Sequence, residues 1–184
     1  METIKVVNQV VTTELKHRLN LDDLALKLTN IEYNPEQFPG LVMRIKDPKS
    51  SALLFSSGKI VCTGTINIID AEKAVIKIIH YLKKAGIEIK IKPLLTIQNM
   101  VGTANLKSKL SLDNLALELG NTEYKPHKFP GLVYKISLPF KASFLLFSNG
   151  KLVCTGTKNP EELKKCIAQL ISTLEKLGKK RFAS

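Results

Sequence analysis

Groups able to carry out chemistry are few in these 184 residues, and they are scattered. Cys62, Cys154 and Cys166 are an odd number of cysteines with no Cys-x-x-Cys spacing, which argues against a disulfide framework or structural zinc site and for reduced thiols in an intracellular protein. His17, His80 and His127 lie far apart and share no metal-ligand spacing with them. Asp22 and Asp23 are adjacent carboxylates, but a helix start explains both, as capping and dipole-complementing acids. Ser57-Gly58-Lys59 and Asn149-Gly150-Lys151 lack the spacing of a phosphate-binding loop and read as turns carrying a lysine. No nucleophile, base and orienting group come together, so no enzyme is expected, and no cofactor or metal is implied.

Charge is more informative. Lys and Arg number 28 against 16 Asp and Glu, a net +12 that favours a polyanionic partner over a merely solvated basic surface. Residues 1–92 carry +4 of this and residues 93–184 carry +8, so an anion should feel the second half more. With 44% hydrophobic and 24% charged residues the composition is that of a globular domain. No stretch approaches the roughly 18–20 apolar residues of a membrane span, and the first residues lack a basic start followed by a cleavage site. The chain therefore reads as neither secreted nor membrane-spanning.

The elements that must position the cations are written twice. Residues 33–65 read YNPEQFPGLVMRIKDPKSSALLFSSGKIVCTGT and residues 124–157 read YKPHKFPGLVYKISLPFKASFLLFSNGKLVCTGT. The offset is 91 as far as Pro48 and Pro139 and 92 beyond, which places one extra residue, Phe140, in the second copy. Pairing residues 4–65 with 95–157 gives 36 identities in 62 aligned pairs, which establishes an internal duplication. A period near 91 is too long for a solenoid unit and suits two half-domains, residues 1–92 and 93–184, forming one pseudo-twofold domain.

Within each copy, Ile4, Val6, Asn8, Val10 and Thr12 alternate with Lys5, Val7, Gln9 and Val11, the two-residue period of an opening strand. Capping residues Asn20 and Ser111, followed by leucines at 21, 24 and 28 and at 112, 115 and 119, predict short amphipathic helices. Strands are predicted at 41–46, 52–56 and 59–64, with counterparts at 132–137, 144–148 and 151–156, each last pair joined by a hairpin turn. A longer helix closes each copy, with Ala71, Val75, Ile78, Ile79 and Leu82 on one buried stripe and Leu163, Ile167, Leu170, Ile171, Leu174 and Leu177 on the other. Gly86 and Gly178 are the expected helix stops. The fold class is α+β, with helices covering one side of an antiparallel sheet.

A sheet covered on one side should be polar on the other, and this one is not. If Leu54, Ile60 and Cys62 lie under the helices, then Leu53, Phe55, Val61 and Thr63, with Asn8 and Val10, form a second apolar surface; Asn99, Val101, Leu145, Phe147, Val153 and Thr155 repeat it. Three uses compete: a sandwich of the two halves, a protein interface, or a ligand both apolar and anionic. Arg44, Lys49 and Lys59, with Lys135, Lys141 and Lys151, lie on or beside the same strands. An apolar strip edged by symmetric cations fits the minor groove of DNA, with phosphates along both walls.

The segments QNMVGT, EYNPEQFPGLVMRIKDP and ALLFSSGKIVCTG, with their copies, resemble the core of the TATA-box-binding protein family of archaea and eukaryotes over essentially the whole chain. FPGL in both copies looks archaeal. The resemblance implies a ten-stranded saddle-shaped sheet with helices on its convex side, and a general transcription factor that binds the TATA element and nucleates initiation complexes. By resemblance, Phe38 with Phe55 and Phe129 with Phe147 are wedges that enter base steps and bend the duplex. Asn8 and Asn99, beside Thr63 and Thr155, contact minor-groove acceptors, flanked by Val10, Leu53, Val61, Val101, Leu145 and Val153. Arg44, Lys49, Ser57, Lys59, Lys135, Lys141, Asn149 and Lys151 hold phosphates.

The implied partners are double-stranded DNA, transcription factor B and, through it, RNA polymerase, with no membrane and with a weak homodimer in the absence of DNA. The protein would sit in the cytoplasm on chromosomal DNA, or in the nucleus if eukaryotic. Two departures from the family pattern stand out. Lys125, His127 and Lys128 occupy the loop where the family is usually acidic towards factor B, whereas the first copy keeps Glu36. Phe140 lengthens the spacing from Phe129 to Phe147, and a slip there would turn Phe147 to the wrong face. The competing reading is a paralogous DNA-binding regulator, or a duplicated protein-interaction platform with another partner.

Overall fold

The computed structural model describes residues 3–181; residues 1, 2 and 182–184, the outer ends of the two expected halves, lie outside it. The first repeat runs β1 (Lys5–Glu14), α1 (Leu21–Lys27), β2 (Ile31–Glu32), β3 (Leu41–Ile45), β4 (Ser50–Leu54), β5 (Lys59–Thr65) and α2 (Ile68–Lys84). The second runs β6 (Thr96–Asn105), α3 (Leu112–Glu118), β7 (Thr122–Glu123), β8 (Leu132–Ile136), β9 (Ala142–Leu146), β10 (Lys151–Thr157) and α4 (Pro160–Arg181). The strands form one ten-stranded antiparallel sheet in the order β2-β3-β4-β5-β1-β6-β10-β9-β8-β7. Two compact units divide the chain: one spans Asn8–Gln98, and the other joins the residues up to Val7 to those from Asn99 onward.

In the unit of Asn8–Gln98, alternation decides what is buried. Leu41, Met43 and Ile45 of β3, Ala52 and Leu54 of β4, and Ile60 and Cys62 of β5 are buried beside Ile78 and Leu82 of α2. Helix α1 is started by Asn20, whose side chain accepts the Asp23 N–H at 3.1 Å, and Asp23 in turn pairs with Lys27 at 2.7 Å. Asp22 lies beside Asp23 in the same first turn, where an acid complements the helix dipole. Asn67 caps α2 in the same way, accepting the Asp70 N–H at 2.8 Å. The Asn67 side chain and then Lys73 hold the Asp70 carboxyl below its usual range. The helix stops where expected: Gly86 takes φ +90° and the Ile87 N–H bonds back to the Leu82 carbonyl at 2.9 Å.

The other unit repeats the plan around Leu132, Phe144, Leu146, Leu152, Cys154, Leu163, Ile167 and Leu170. Three expectations need correction. Gly178 is not a stop: α4 continues through it to Arg181. Ser111 sits at the cap position of α3 but makes no side-chain capping bond. The strands placed at 52–56 and 144–148 run from Ser50 to Leu54 and from Ala142 to Leu146, because the small residues before them extend the ladder. Phe55 and Phe147 thus belong to the hairpin turns, where their N–H groups donate to Lys59 and Lys151 carbonyls at 3.0 Å. Each repeat also has a fifth strand, β2 or β7, only two residues long.

Phe140 leaves the register intact. Leu132 pairs with Leu146 and Val133 with Leu145, as Leu41 pairs with Leu54 and Val42 with Leu53. No helix among the described residues is long and apolar enough to cross a membrane. Because Asn67 satisfies an N–H that α2 leaves without a helical partner, Asn67→Ala should cost about 1 kcal/mol in urea unfolding. An unchanged denaturation midpoint would contradict that role.

Candidate nucleic-acid interface

The same alternation that buries one side of each unit's strands presents the other. In the Asn8–Gln98 unit, Val42, Leu53, Val61 and Thr12 stand opposite one another across four strands, and Arg44, Ser51, Thr63 and Val10 form the next row. Val10, Val42, Leu53 and Val61 are half-buried, outside the core. In the other unit Val133, Leu145, Val153 and Thr103 make the matching row, and Lys135, Ser143 and Thr155 the next. Val42, Thr12 and Ser51, with Val133, Thr103 and Ser143, were not singled out from sequence. The alternation in LVMRI and LVYKI was the signal that could have found them.

Each face carries one asparagine held in a fixed orientation. The Gly64 N–H donates to Asn8 Oδ1 at 2.8 Å, which identifies that atom as the oxygen because a backbone N–H can only donate. Asn8 Nδ2 then donates to Thr63 Oγ1 at 3.1 Å. Asn99 repeats the arrangement, accepting the Gly156 N–H at 2.8 Å and donating to Thr155 Oγ1 at 2.9 Å. Gly64 and Gly156 take φ +100° and +102°, a conformation that disfavours any side chain. An asparagine amide has two hydrogens, so each of these residues keeps one N–H that no described residue takes, on a face that also carries the valine and leucine row.

The four phenylalanines form two pairs. Phe38 meets Phe55 edge to face with ring centroids 6.0 Å apart, and Phe129 meets Phe147 at 6.1 Å. Phe38 and Phe129 are 42% and 46% exposed, too much for core residues. Small residues shape the pairs: a Cβ on Gly40 would lie 2.6 Å from the Phe38 ring, and one on Gly131 2.6 Å from that of Phe129. Sequence reading passed over both glycines, since their role is a close approach with no local signature.

The expected phosphate-binding cations are all exposed. Arg44 shares its guanidinium with Glu32 at 2.9 Å. At the equivalent position Glu123 bonds instead to Lys125 at 2.9 Å, and that contact, more than the charges of Lys135 and Lys128, holds its carboxyl below the usual range. Ser57 Oγ and Asn149 Oδ1 accept the N–H groups of Lys59 and Lys151 at 3.3 and 3.1 Å, which orders the turns that carry these lysines. Lys125, His127 and Lys128 form an exposed basic loop just before Phe129.

All three thiols are buried, and burial raises their pKa, that of Cys154 to about 12, so none is a thiolate near neutral pH. Among the described residues no group of three or more His, Cys, Asp and Glu could hold a metal ion.

Fold and surface together define a duplicated α+β protein in which each half presents an apolar, cation-edged sheet face. A sequence model of the family described as Transcription factor TFIID (or TATA-binding protein, TBP) matches residues 3–85 and again 94–177. The chain is 44% identical over 180 residues to the TATA-box-binding protein of Picrophilus torridus, covering 97% of each. It is 45% identical over 174 residues to that of Methanocaldococcus jannaschii, covering 95% of this chain and 94% of the relative. A solved structure described as Methanococcus jannaschii TBP matches with a TM-score of 0.86 at 45% identity, over 95% of this chain and 99% of that one. The chain belongs to the TATA-binding protein family.

Gly131→Ala should displace Phe129 from Phe147 at a cost of about 1–3 kcal/mol in stability. The readout is the Leu145 methyl resonances of the full chain, whose ring-current shifts should change. Unaltered shifts would mean that the glycine does not set the pair.

Proposed function

We propose that the chain is a general transcription factor that binds a TATA-type element through the minor groove, with the two apolar faces against the sugars and base edges. The observation that carries this reading is the pair of fixed asparagines, Asn8 and Asn99, each with an unused N–H donor on a face that also carries the valine and leucine row. In the minor groove A·T pairs offer only acceptors, which suit such donors, whereas G·C adds an amino group that would meet Val10, Val61, Val101 and Val153.

Phe38 with Phe55, and Phe129 with Phe147, act as wedges that unstack base steps at the two ends of the element, a mode of binding for which this family is itself the standing example. Their exposure and pairing support the role. Arg44, Lys49, Lys59, Lys135, Lys141 and Lys151, with Ser57 and Asn149, hold phosphates, supplying affinity and salt dependence but no sequence information. Off DNA the uncovered faces favour a weak homodimer that DNA displaces. On DNA the chain recruits transcription factor B and, through it, RNA polymerase. The basic loop of Lys125, His127 and Lys128 calls for a complementary acidic patch on that factor. A factor B from the same genome with only basic residues at the contact would count against it.

The test is fluorescence anisotropy with end-to-end energy transfer on a labelled duplex carrying an A·T element, against one with central G·C pairs, over a salt series. Specific, bent, salt-sensitive binding is expected, weakened by about 1–3 kcal/mol per substituted pair. Equal, unbent binding to both duplexes would leave only non-specific electrostatics and favour a protein-interaction platform. Phe129→Ala with Phe147→Ala should weaken binding and abolish bending at one end of the element. If affinity and bend both survive, these residues are not wedges.

A further inference from the structure

The two repeats differ at one place that DNA binding does not use. In the first, the chain leaves α2 at Gly86 and folds back, so that Ile87 and Ile89 pack against the cluster containing Leu15, Leu19, Leu24, Leu82 and Ala85, all buried. The corresponding residues of the second repeat, by the 91 and 92 offsets, are Leu106, Leu110, Leu115, Leu174 and Leu177. Four of these, all but Leu115, are only partly buried. Because α4 runs straight through Gly178, no described residue folds back over them as Ile87 and Ile89 do in the first repeat. The result is a groove of about 520 Å³ lined by Leu106, Leu110, Leu115, Ile171, Leu174 and Leu177.

The first repeat shows what such a strip accommodates: an extended segment with aliphatic side chains two residues apart and a charged residue, Glu88, between them. The rim differs in sign. Lys109, Glu118 and Glu175 line the open groove, and by the same offsets their positions are held in the first repeat by Arg18, Lys27 and Lys83. A segment suited to the second repeat therefore exchanges its central acid for a base.

We propose that this groove docks an extended segment of a partner protein with the pattern aliphatic, basic, aliphatic. The partner's two aliphatic side chains cover the leucines as Ile87 and Ile89 cover theirs, and its basic side chain lies towards Glu175. The site is separate from the sheet face, so it can be filled while the protein is on DNA.

The test uses the full chain, methyl-labelled, with two capped hexapeptides. One copies residues 86–91, Gly-Ile-Glu-Ile-Lys-Ile, and the other replaces its Glu by Lys. Saturable shifts confined to the methyls of Leu110, Ile171, Leu174 and Leu177 are expected, with affinity about threefold higher for the basic peptide, the scale of one exposed ion pair. Lys179→Ile with Arg181→Ile writes Ile-Lys-Ile directly after Gly178 and supplies the segment in cis, so it should abolish peptide binding. No shifts at millimolar peptide, equal affinity for both peptides, or unchanged binding by the folded double variant would each overturn the proposal. So would concentration-dependent self-association that protects these methyls without peptide, which would make a second copy the occupant.

Discussion

Everything at the candidate interface depends on the two-residue period of the strands, locked by burial of every second side chain. Once Leu41, Met43, Ile45, Leu54, Ile60 and Cys62 are committed to the core, Val42, Arg44, Leu53, Val61 and Thr63 can only face the other way. A one-residue slip in β4 would exchange Leu53 for Leu54, placing Ser51 and Leu53 under the helices and breaking the match of Leu53 with Val42 and Val61 on the opposite face. Register is therefore both the source of stability and the device that aims the functional side chains. The extra residue Phe140 is tolerated because it falls between β8 and β9, outside the ladder, with its side chain packed against the core.

On that frame the polar groups divide into two kinds. Asn8 and Asn99 are held by a backbone N–H and a threonine hydroxyl, so little rotamer freedom remains to be lost when they meet a partner, and their orientation is not in doubt. The lysines at the edges are long and exposed, which suits the proposed role of neutralising phosphates without reading sequence. The duplication supplies both sets twice but not identically. Arg44 pairs with Glu32, whereas Glu123 pairs with Lys125 in the loop beside Phe129, so the two ends of a bound element would meet different electrostatic surroundings.

The duplication, the two apolar sheet faces, the buried thiols and the capping role of Asn20 were legible in the sequence because each leaves a periodic or local signature. Strands β2 and β7 were not, since two residues are too few to establish a period. Gly40 and Gly131 were missed because what they do depends on rings that the fold brings beside them. The third kind of failure is Gly178, a residue type that suits a helix stop and yet lies within α4. Gly86 ends its helix where Ile87 and Ile89 follow to pack on the core, and Gly178 is followed by Lys179-Lys180-Arg181, which bring no comparable apolar side chains. Local propensity alone did not distinguish the two glycines.

The central claim is that sequence is read from the minor groove by apolar contact and two amide donors. Replacing the A·T pairs of a binding element by inosine–cytosine pairs tests it most directly, because that exchange keeps the minor groove free of the guanine amino group while giving the major groove the pattern of G·C. Affinity and bend angle measured on the inosine duplex should stay close to those of the A·T element, while true G·C pairs lose roughly tenfold or more for each pair exchanged. An inosine duplex that behaves like the G·C duplex would contradict minor-groove reading by these faces.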